Sequence, residues 1–149
     1  MNDSLKILLV EDEDVLREEL ALNLRLEGFE VLQASSADEG LRMAKAHEPA
    51  AVVTDIRMPR KPGDAEDGPV GGYELIQHLR MAVGPLGMLM PVIVLSAYGD
   101  TSDRISALEH GADGHVTKAS GAEIELVTAY VRATLARFSE IRAALASAG

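Results

Sequence analysis

Short runs of apolar residues alternate with longer amphipathic segments along the 149-residue chain. The short runs are typical of strands buried on both faces, whereas the segments between them repeat apolar residues at helical spacing. Gly28 and Gly111 follow two of the helical segments as stop signals, and Ser36 with Glu39 has the form of a capping box. The pattern predicts strands over 5–10, 29–33, 50–54, 91–95 and 114–117, and helices over 15–27, 36–47, 73–82, 102–110 and from 122 onwards.

Five strands that alternate with five helices predict an α/β fold. Alternating units of this kind form a parallel sheet with helices on both faces, the doubly wound arrangement. Right-handed crossovers leave few strand orders, and we expect the flavodoxin-like (βα)5 order 2-1-3-4-5. At 149 residues the chain is long enough for one domain with a single core. We place that domain at residues 1–135 and treat 136–149 as an extension of the last helix.

Charge and composition exclude several classes of protein. A formal net charge of −10 without a lysine or arginine run argues against direct nucleic-acid binding by this segment. The absence of cysteine excludes disulfides and thiolate metal sites. No apolar run approaches the roughly 20 residues that cross a bilayer, and the N-terminus shows no signal peptide. We therefore expect a cytoplasmic protein with no membrane partner.

Polar side chains stand just past the ends of four predicted strands. They are Glu11 and Asp12, then Asp55, Ser96 and Lys118. In an open parallel sheet the carboxyl ends of the strands meet at one crevice where ligands bind, so we expect these side chains to lie together. Clustered carboxylates repel one another and need a cation. Because Mg²⁺ prefers a few carboxylates together with phosphate oxygens, the set favours a site for Mg²⁺ and a phosphoryl group.

Five segments around these residues carry a family resemblance: LLVEDE (8–13), VVTDIRMP (52–59), YEL (73–75), VIVLSA (92–97) and GADGHVTK (111–118). Together they resemble the receiver domains of response regulators in two-component signal transduction, of the chemotaxis-receiver type. The resemblance covers roughly residues 6–135, in the family's order and nearly its spacing. Any one segment is weak evidence, but the complete set is specific.

The resemblance implies a response-regulator receiver, a phosphoprotein switch in a phosphorelay and not a dedicated enzyme. A histidine kinase or phosphotransfer protein would supply the phosphoryl group to Asp55, and autodephosphorylation would remove it. Ser96 and Lys118 would bind the phosphoryl oxygens. Mg²⁺ would be held by Glu11, Asp12, Asp55 and the backbone carbonyl of Arg57, and the switch or tuning positions would be Ala97, Tyr98 and His115.

Two other functions stay open at this point. A phosphorylation-independent interaction domain of receiver shape usually lacks the acceptor aspartate or the lysine, and this chain has both Asp55 and Lys118. A phosphatase of the haloacid dehalogenase type needs a second aspartate two residues after the nucleophile, and position 57 is arginine. Taken singly, the residues also have structural explanations, since an acidic pair favours a helix N-terminus. Their conjunction favours the phosphorylation switch.

Several positions depart from the family pattern. The loop at 60–72 is markedly longer than usual, and we expect either a tolerated surface insertion or a segment that covers the site or meets a kinase. The usual proline after the lysine is replaced by Ala119, so we expect a trans bond with a shifted loop, or a strained one. The usual aromatic on the fifth strand is replaced by His115. Tyr98 and Arg57 would shield the phosphoryl group from water and slow its loss.

The last helix is longer than this sheet requires. From 122 to 146 it would span about 35 Å. Phe138 and the apolar residues after it would then lack a core to enter. We expect this end to form a coiled-coil homodimer or a connector to an output module, with fraying as the alternative. The apolar seam consists of Ile124, Val127, Val131, Phe138, Ile141 and Leu145, with Thr134 in its one polar slot.

Overall fold

A computed structural model of the chain describes residues 5–56, 70–82, 90–96, 101–118 and 121–148. The strands all run parallel in the order β2-β1-β3-β4-β5, which confirms the predicted topology. The strands are β1 (Lys6–Val10), β2 (Glu30–Ala34), β3 (Ala51–Asp55), β4 (Val92–Ser96) and β5 (Gly114–Thr117). The helices are α1 (Asp14–Leu26), α2 (Ala37–His47), α3 (Val70–Ala82), α4 (Thr101–Glu109) and α5 (Glu123–Ala148).

Two apolar clusters, one on each face of the sheet, form the core. In β1, Leu8 and Val10 belong to the cluster beneath α2 and α3, whereas Ile7 and Leu9 belong to the cluster beneath α1 and α5. Alternation of this kind explains why the central strands read as continuous apolar runs, since both of their faces are covered. None of the helices described is both long and apolar enough to span a bilayer.

The helix ends largely follow the predicted signals. The Ser36 hydroxyl accepts a hydrogen bond from the Glu39 backbone N–H at 3.3 Å, so Ser36 caps α2. In a capping box the Glu39 carboxylate would accept a hydrogen bond from the Ser36 backbone N–H. Here the Glu39 carboxylate accepts one from the Ser35 hydroxyl. Gly28 and Gly111 have φ of 98° and 99°, the left-handed region that favours glycine at a helix end.

Several element boundaries differ from the prediction, and three of them lie next to the site. Asp55 and Ser96 are the last residues of β3 and β4 and do not lie past the strands, because the ladder pairs them with Leu95 and Thr117. The helix α3 begins at Val70, three residues earlier than predicted, so the end of the long loop belongs to that helix. Residues 60–69 lie outside the described part of the chain.

The last helix has 26 residues and is about 39 Å long. Thr134 is buried, and its hydroxyl donates to the Tyr130 carbonyl at 2.6 Å. The expectation that Phe138 lacks a core is wrong, because Phe138 is only 9% exposed. Since α5 packs on α1 as well as on the sheet, its buried face extends further than the strand length predicts. Ile141 and Leu145 are 39% and 56% exposed, as expected.

Candidate functional site

Three carboxylates meet where β1 and β3 end. Glu11 and Asp12 follow β1 directly, and Asp55 ends the adjacent β3. One carboxylate oxygen from each of the three lies within 4.8 Å of the others. Glu11 is fully buried, Asp55 is 3% exposed and Asp12 is half-buried. The predicted acidic cluster is therefore formed, and it opens to solvent on the Asp12 side.

Lys118 connects two of these carboxylates. Its ammonium donates a hydrogen bond to Asp55 Oδ2 at 2.8 Å and lies 2.7 Å from Glu11 Oε1. The Glu13 carboxylate stands at the rim, 3.9 Å from the same nitrogen. Because Lys118 follows β5, its side chain reaches across the end of β4 to the cluster. One ammonium thus neutralises part of a site that carries three carboxylates.

The electrostatics of the cluster favour a bound cation. Burial, and then the charge of Asp55, raises the pKa of Glu11 to about 9, while Lys118 offsets part of this rise. A hydrogen bond between Glu11 and Asp12 acts in the same direction as burial. For Lys118, burial disfavours the ammonium, but Asp55 and Glu11 outweigh it and raise the pKa above its ordinary value. In the absence of a cation, a proton on Glu11 therefore relieves the repulsion.

The donor atoms suit a hard divalent cation. All three side chains offer carboxylate oxygens, the ligands that Mg²⁺ and Ca²⁺ prefer. Within the described residues, the buried Glu11 Oε1 has no well-aligned hydrogen bond, although it lies in ion-pair contact with Lys118. A buried carboxylate oxygen without a well-aligned hydrogen bond destabilises the fold unless a further partner, such as a cation, binds it. The residues present therefore fit a metal ion among Glu11, Asp12 and Asp55.

Ser96 ends β4, between the strands that carry Asp55 and Lys118. It is 3% exposed and pairs in register with Thr117, next to Lys118 in the chain. The hydroxyl is thus placed at the same edge of the sheet as the carboxylates and the ammonium. The predicted roles of Arg57, Ala97, Tyr98 and Ala119 fall outside the described residues.

His115 lies away from the acidic cluster, in the middle of β5 opposite Val94. It is half-buried and lines a surface depression between α4, β5 and α5 together with Arg104, Leu126 and Tyr130. A switch role for this residue stays a prediction. Its position puts it on the face formed by α4, β5 and α5.

One residue that positions the site was missed in the sequence. Gly72, in the first turn of α3, donates its backbone N–H to the Ile56 carbonyl at 3.0 Å. A Cβ at this position would lie 2.3 Å from the Asp55 carbonyl oxygen and 2.6 Å from Ile56 Cα. Only glycine permits so close an approach of helix and strand end. The available signal was the glycine pair that directly precedes YEL at 73–75.

Comparisons with known proteins give one consistent result. A family model described as the response regulator receiver domain matches residues 7–130. The chain is 36% identical over 145 residues to the probable transcriptional regulator ycf27 of Pyropia yezoensis, covering 97% of this chain and 53% of that protein. It is 35% identical over 115 residues to the transcriptional regulatory protein KdpE of Mycobacterium tuberculosis, covering 77% and 45%.

A solved structure agrees with these relatives. The response regulator receiver domain protein from Clostridium thermocellum superposes with a TM-score of 0.74 at 26% identity, covering 92% of this chain and 98% of that one. The chain spans about half the length of the curated relatives it matches. The similarity therefore concerns one domain of those regulators.

Proposed function

The chain belongs to the family of response regulator receiver domains, and from this membership we propose that Asp55 is its phosphoacceptor, with Mg²⁺ as cofactor. The donor would be a phosphohistidine on a histidine kinase or phosphotransfer protein. One observation carries the proposal: Lys118 lies 2.8 Å from Asp55 and 2.7 Å from Glu11, within a cluster of three carboxylates.

The transfer uses few parts of the protein. One Asp55 carboxylate oxygen forms the new P–O bond while the P–N bond to the donor imidazole breaks, and that imidazole takes up a proton. Glu11, Asp12, Asp55 and the Arg57 carbonyl would hold Mg²⁺, which would supply positive charge to offset that of the phosphoryl oxygens. Such transfers depend mainly on positioning and charge neutralisation. In autodephosphorylation, water would attack the phosphorus, the P–O bond to Asp55 would break, and inorganic phosphate would leave.

Lys118 and Ser96 bind the product. The Lys118 ammonium already donates to Asp55, so a phosphoryl group there would meet a donor that is held in place. The Ser96 hydroxyl, at the end of the neighbouring strand, would donate to a second phosphoryl oxygen. These new hydrogen bonds would bias the equilibrium of the segment after β4 and of the face formed by α4, β5 and α5.

Trapping with beryllofluoride and Mg²⁺ tests the proposal, because the adduct mimics an acyl phosphate on the acceptor. We expect an adduct on the wild-type chain and none on an Asp55→Asn variant. A phosphorylation-independent interaction domain would bind its partner equally well with and without the adduct. That result, or no adduct on the wild-type chain, would contradict the proposal.

The apparent affinity for Mg²⁺ is expected to rise with pH. The raised pKa of Glu11 means that the folded protein holds a proton between about pH 4.5 and 9 that the unfolded chain releases. For this group, stability is greatest below that window and falls as pH rises through it. Because Mg²⁺ must displace this proton, the affinity should approach a tenfold increase per pH unit at around neutral pH. Titration of the unfolding temperature with Mg²⁺, followed by circular dichroism, measures this slope.

The control is a Glu11→Gln variant, which lacks the titrating group. Its Mg²⁺ affinity should be weaker, and it should vary little across the same pH range. Equal Mg²⁺ affinity of the wild-type chain at about pH 6 and pH 8 would show that no such proton is displaced.

Regulation of an output activity is the broader role that we propose. The curated relatives are named as transcriptional regulators, which supports the regulation of transcription as the output. The surface around His115 and Tyr130 is the proposed contact face within the domain. We also propose a cytoplasmic location, because the domain would meet its histidine kinase or phosphotransfer protein there.

Self-association through the end of α5 is a separate proposal. Ile141 and Leu145 are exposed at four-residue spacing beyond the buried Phe138, in a helix that continues to Ala148. This spacing suits a helix–helix seam. We expect a concentration-dependent dimer in sedimentation equilibrium that an Ile141→Ser, Leu145→Ser double variant weakens by at least about tenfold.

A matched control for the dimer is Leu22→Ser. Leu22 lies on α1 and is 55% exposed, close to the exposure of Leu145. The Leu22→Ser variant should leave the association unchanged. A chain that stays monomeric at high concentration, with and without beryllofluoride, would leave α5 as a connector only.

A further inference from the structure

Arg17 makes an unusual set of contacts beside the acidic cluster. From the first turn of α1, its Nη1 donates to the Glu11 backbone carbonyl at 2.8 Å. Its Nε donates to the Gln33 side-chain oxygen at 3.1 Å, and its Nη2 donates to Asp14 at 2.7 Å. The side chain is only 14% exposed. One guanidinium thus joins the turn after β1, the end of β2 and the start of α1.

The i,i+3 ion pair with Asp14 is the one contact of this arginine that the helix itself explains. A cation in the first turn meets the positive end of the helix dipole, which is the unfavourable end. The N-cap residue Glu13 makes no side-chain capping hydrogen bond, so α1 begins without the usual support. A sequence that breaks two local preferences at one helix start often does so at a functional site. The contact with Glu11 indicates which site is served.

The Glu11 backbone is held from two sides. Its N–H donates to the Ala34 carbonyl at 3.0 Å, at the end of the β1–β2 ladder. Its carbonyl accepts from Arg17, and Gln33, which precedes Ala34, accepts from the same guanidinium. The Val10–Glu11 peptide unit is therefore held to β2, and the Glu11–Asp12 peptide unit is held to α1 through Arg17. Fixing both units sets the direction in which the two carboxylates leave the chain.

We propose that Arg17 is a positioning residue for the metal pair, holding the Glu11–Asp12 peptide so that both carboxylates face Asp55. The inference rests on the proposed function, because it assumes that these groups bind Mg²⁺. Groups that orient metal ligands without touching the metal commonly change metal affinity by tenfold or more when removed. The guanidinium is suited to this role because its donors lie in a rigid planar fork.

The test compares Mg²⁺ affinity with fold stability in three variants. Arg17→Met removes every donor, whereas Arg17→Lys keeps the charge but lacks the planar fork whose separate nitrogens reach the three acceptors. Arg25→Met is the matched control, since Arg25 is an exposed arginine in the last turn of the same helix. The dissociation constant for Mg²⁺ is measured by titration at constant ionic strength, and the unfolding midpoint is measured in EDTA.

We expect the Mg²⁺ dissociation constant to rise about tenfold in Arg17→Met and at least about threefold in Arg17→Lys. Arg25→Met should stay within about twofold of the wild-type chain. A dissociation constant within twofold of wild type in Arg17→Met would overturn the inference, whatever happens to the unfolding midpoint. If Arg17→Met does not fold, Arg17→Lys decides by the same criterion. Absence of Mg²⁺ binding by the wild-type chain would overturn the proposed function and this inference together.

Discussion

An Asp55→Asn variant is expected to lose phosphorylation completely while keeping its fold. Asparagine matches aspartate in shape, and its side-chain oxygen can still accept the hydrogen bond from Lys118. The amide is not a carboxylate nucleophile, so no acyl phosphate can form. Incubation with phosphoramidate and Mg²⁺, followed by intact mass spectrometry, should show one phosphoryl group on the wild-type chain and none on the variant.

The matched control for this experiment is Asp38→Asn. Asp38 is an exposed acidic residue in the first turn of α2, at the same edge of the sheet but outside the cluster. Its replacement should leave phosphorylation unchanged. In EDTA, Asp55→Asn should be as stable as wild type or about 1 kcal/mol more stable, since Asp55 is one cause of the raised pKa of Glu11. A phosphoryl group found on Asp55→Asn would move the acceptor to another side chain.

A Gly72→Ala variant is expected to lose both stability and phosphorylation rate. The added Cβ would lie 2.3 Å from the Asp55 carbonyl oxygen, which no relaxation of a side chain can relieve. Either α3 or the end of β3 must move. Overpacking of this kind costs about 1–3 kcal/mol, against a gain of about 1 kcal/mol from replacing glycine in a helix. We expect a net loss of about 1–2 kcal/mol in chemical denaturation and at least about a tenfold slower phosphorylation, because the acceptor shifts.

Gly40→Ala separates the backbone clash from ordinary crowding. Gly40 is also a buried helical glycine against a strand, but the three atoms nearest to its added Cβ would all be side-chain atoms, the first being Val10 Cγ2 at 2.9 Å. A side chain can yield more easily, so Gly40→Ala should cost less stability and leave the phosphorylation rate unchanged. Equal effects of the two variants on rate would mean that Gly72 has no special role in placing Asp55.

Much of this molecule follows from the order of residues along the chain. The strands of a doubly wound sheet are buried on both faces, so PVIVL and LKILLV are conspicuous as apolar runs. The carboxyl ends of the strands of such a sheet lie at one edge, and this explains why the sequence alone predicts that Glu11, Asp55 and Lys118 lie together. The register of one strand against the next then refines the boundaries at Asp55 and Ser96.

Other features depend on three-dimensional proximity that no local pattern reveals. Arg17 has the sequence context of an ordinary surface helix residue, and its role appears only when Gln33 and the Glu11 carbonyl are seen beside it. Gly72 directly precedes the segment YEL at 73–75, but glycine is required there by the backbone of Asp55 and Ile56 at the end of β3. A comparison of helix length with the sheet alone predicts that Phe138 lies outside the core. Phe138 is buried because α5 also packs on α1, which the sequence pattern does not reveal.

The length of α5 beyond Phe138 has a mechanical consequence. Arg132 of α5 lies 3.2 Å from Glu27, which follows α1 just before β2 begins, so this part of α5 has reached the edge of the sheet opposite the acidic cluster. Beyond the buried Phe138, residues 139–148 extend away from that edge for about 15 Å. A tilt of α5 by about 10° on the sheet would then carry the tip of this rod sideways by roughly 2–3 Å. A small change in how α5 packs on the sheet would thus become a larger displacement on the far side of the domain.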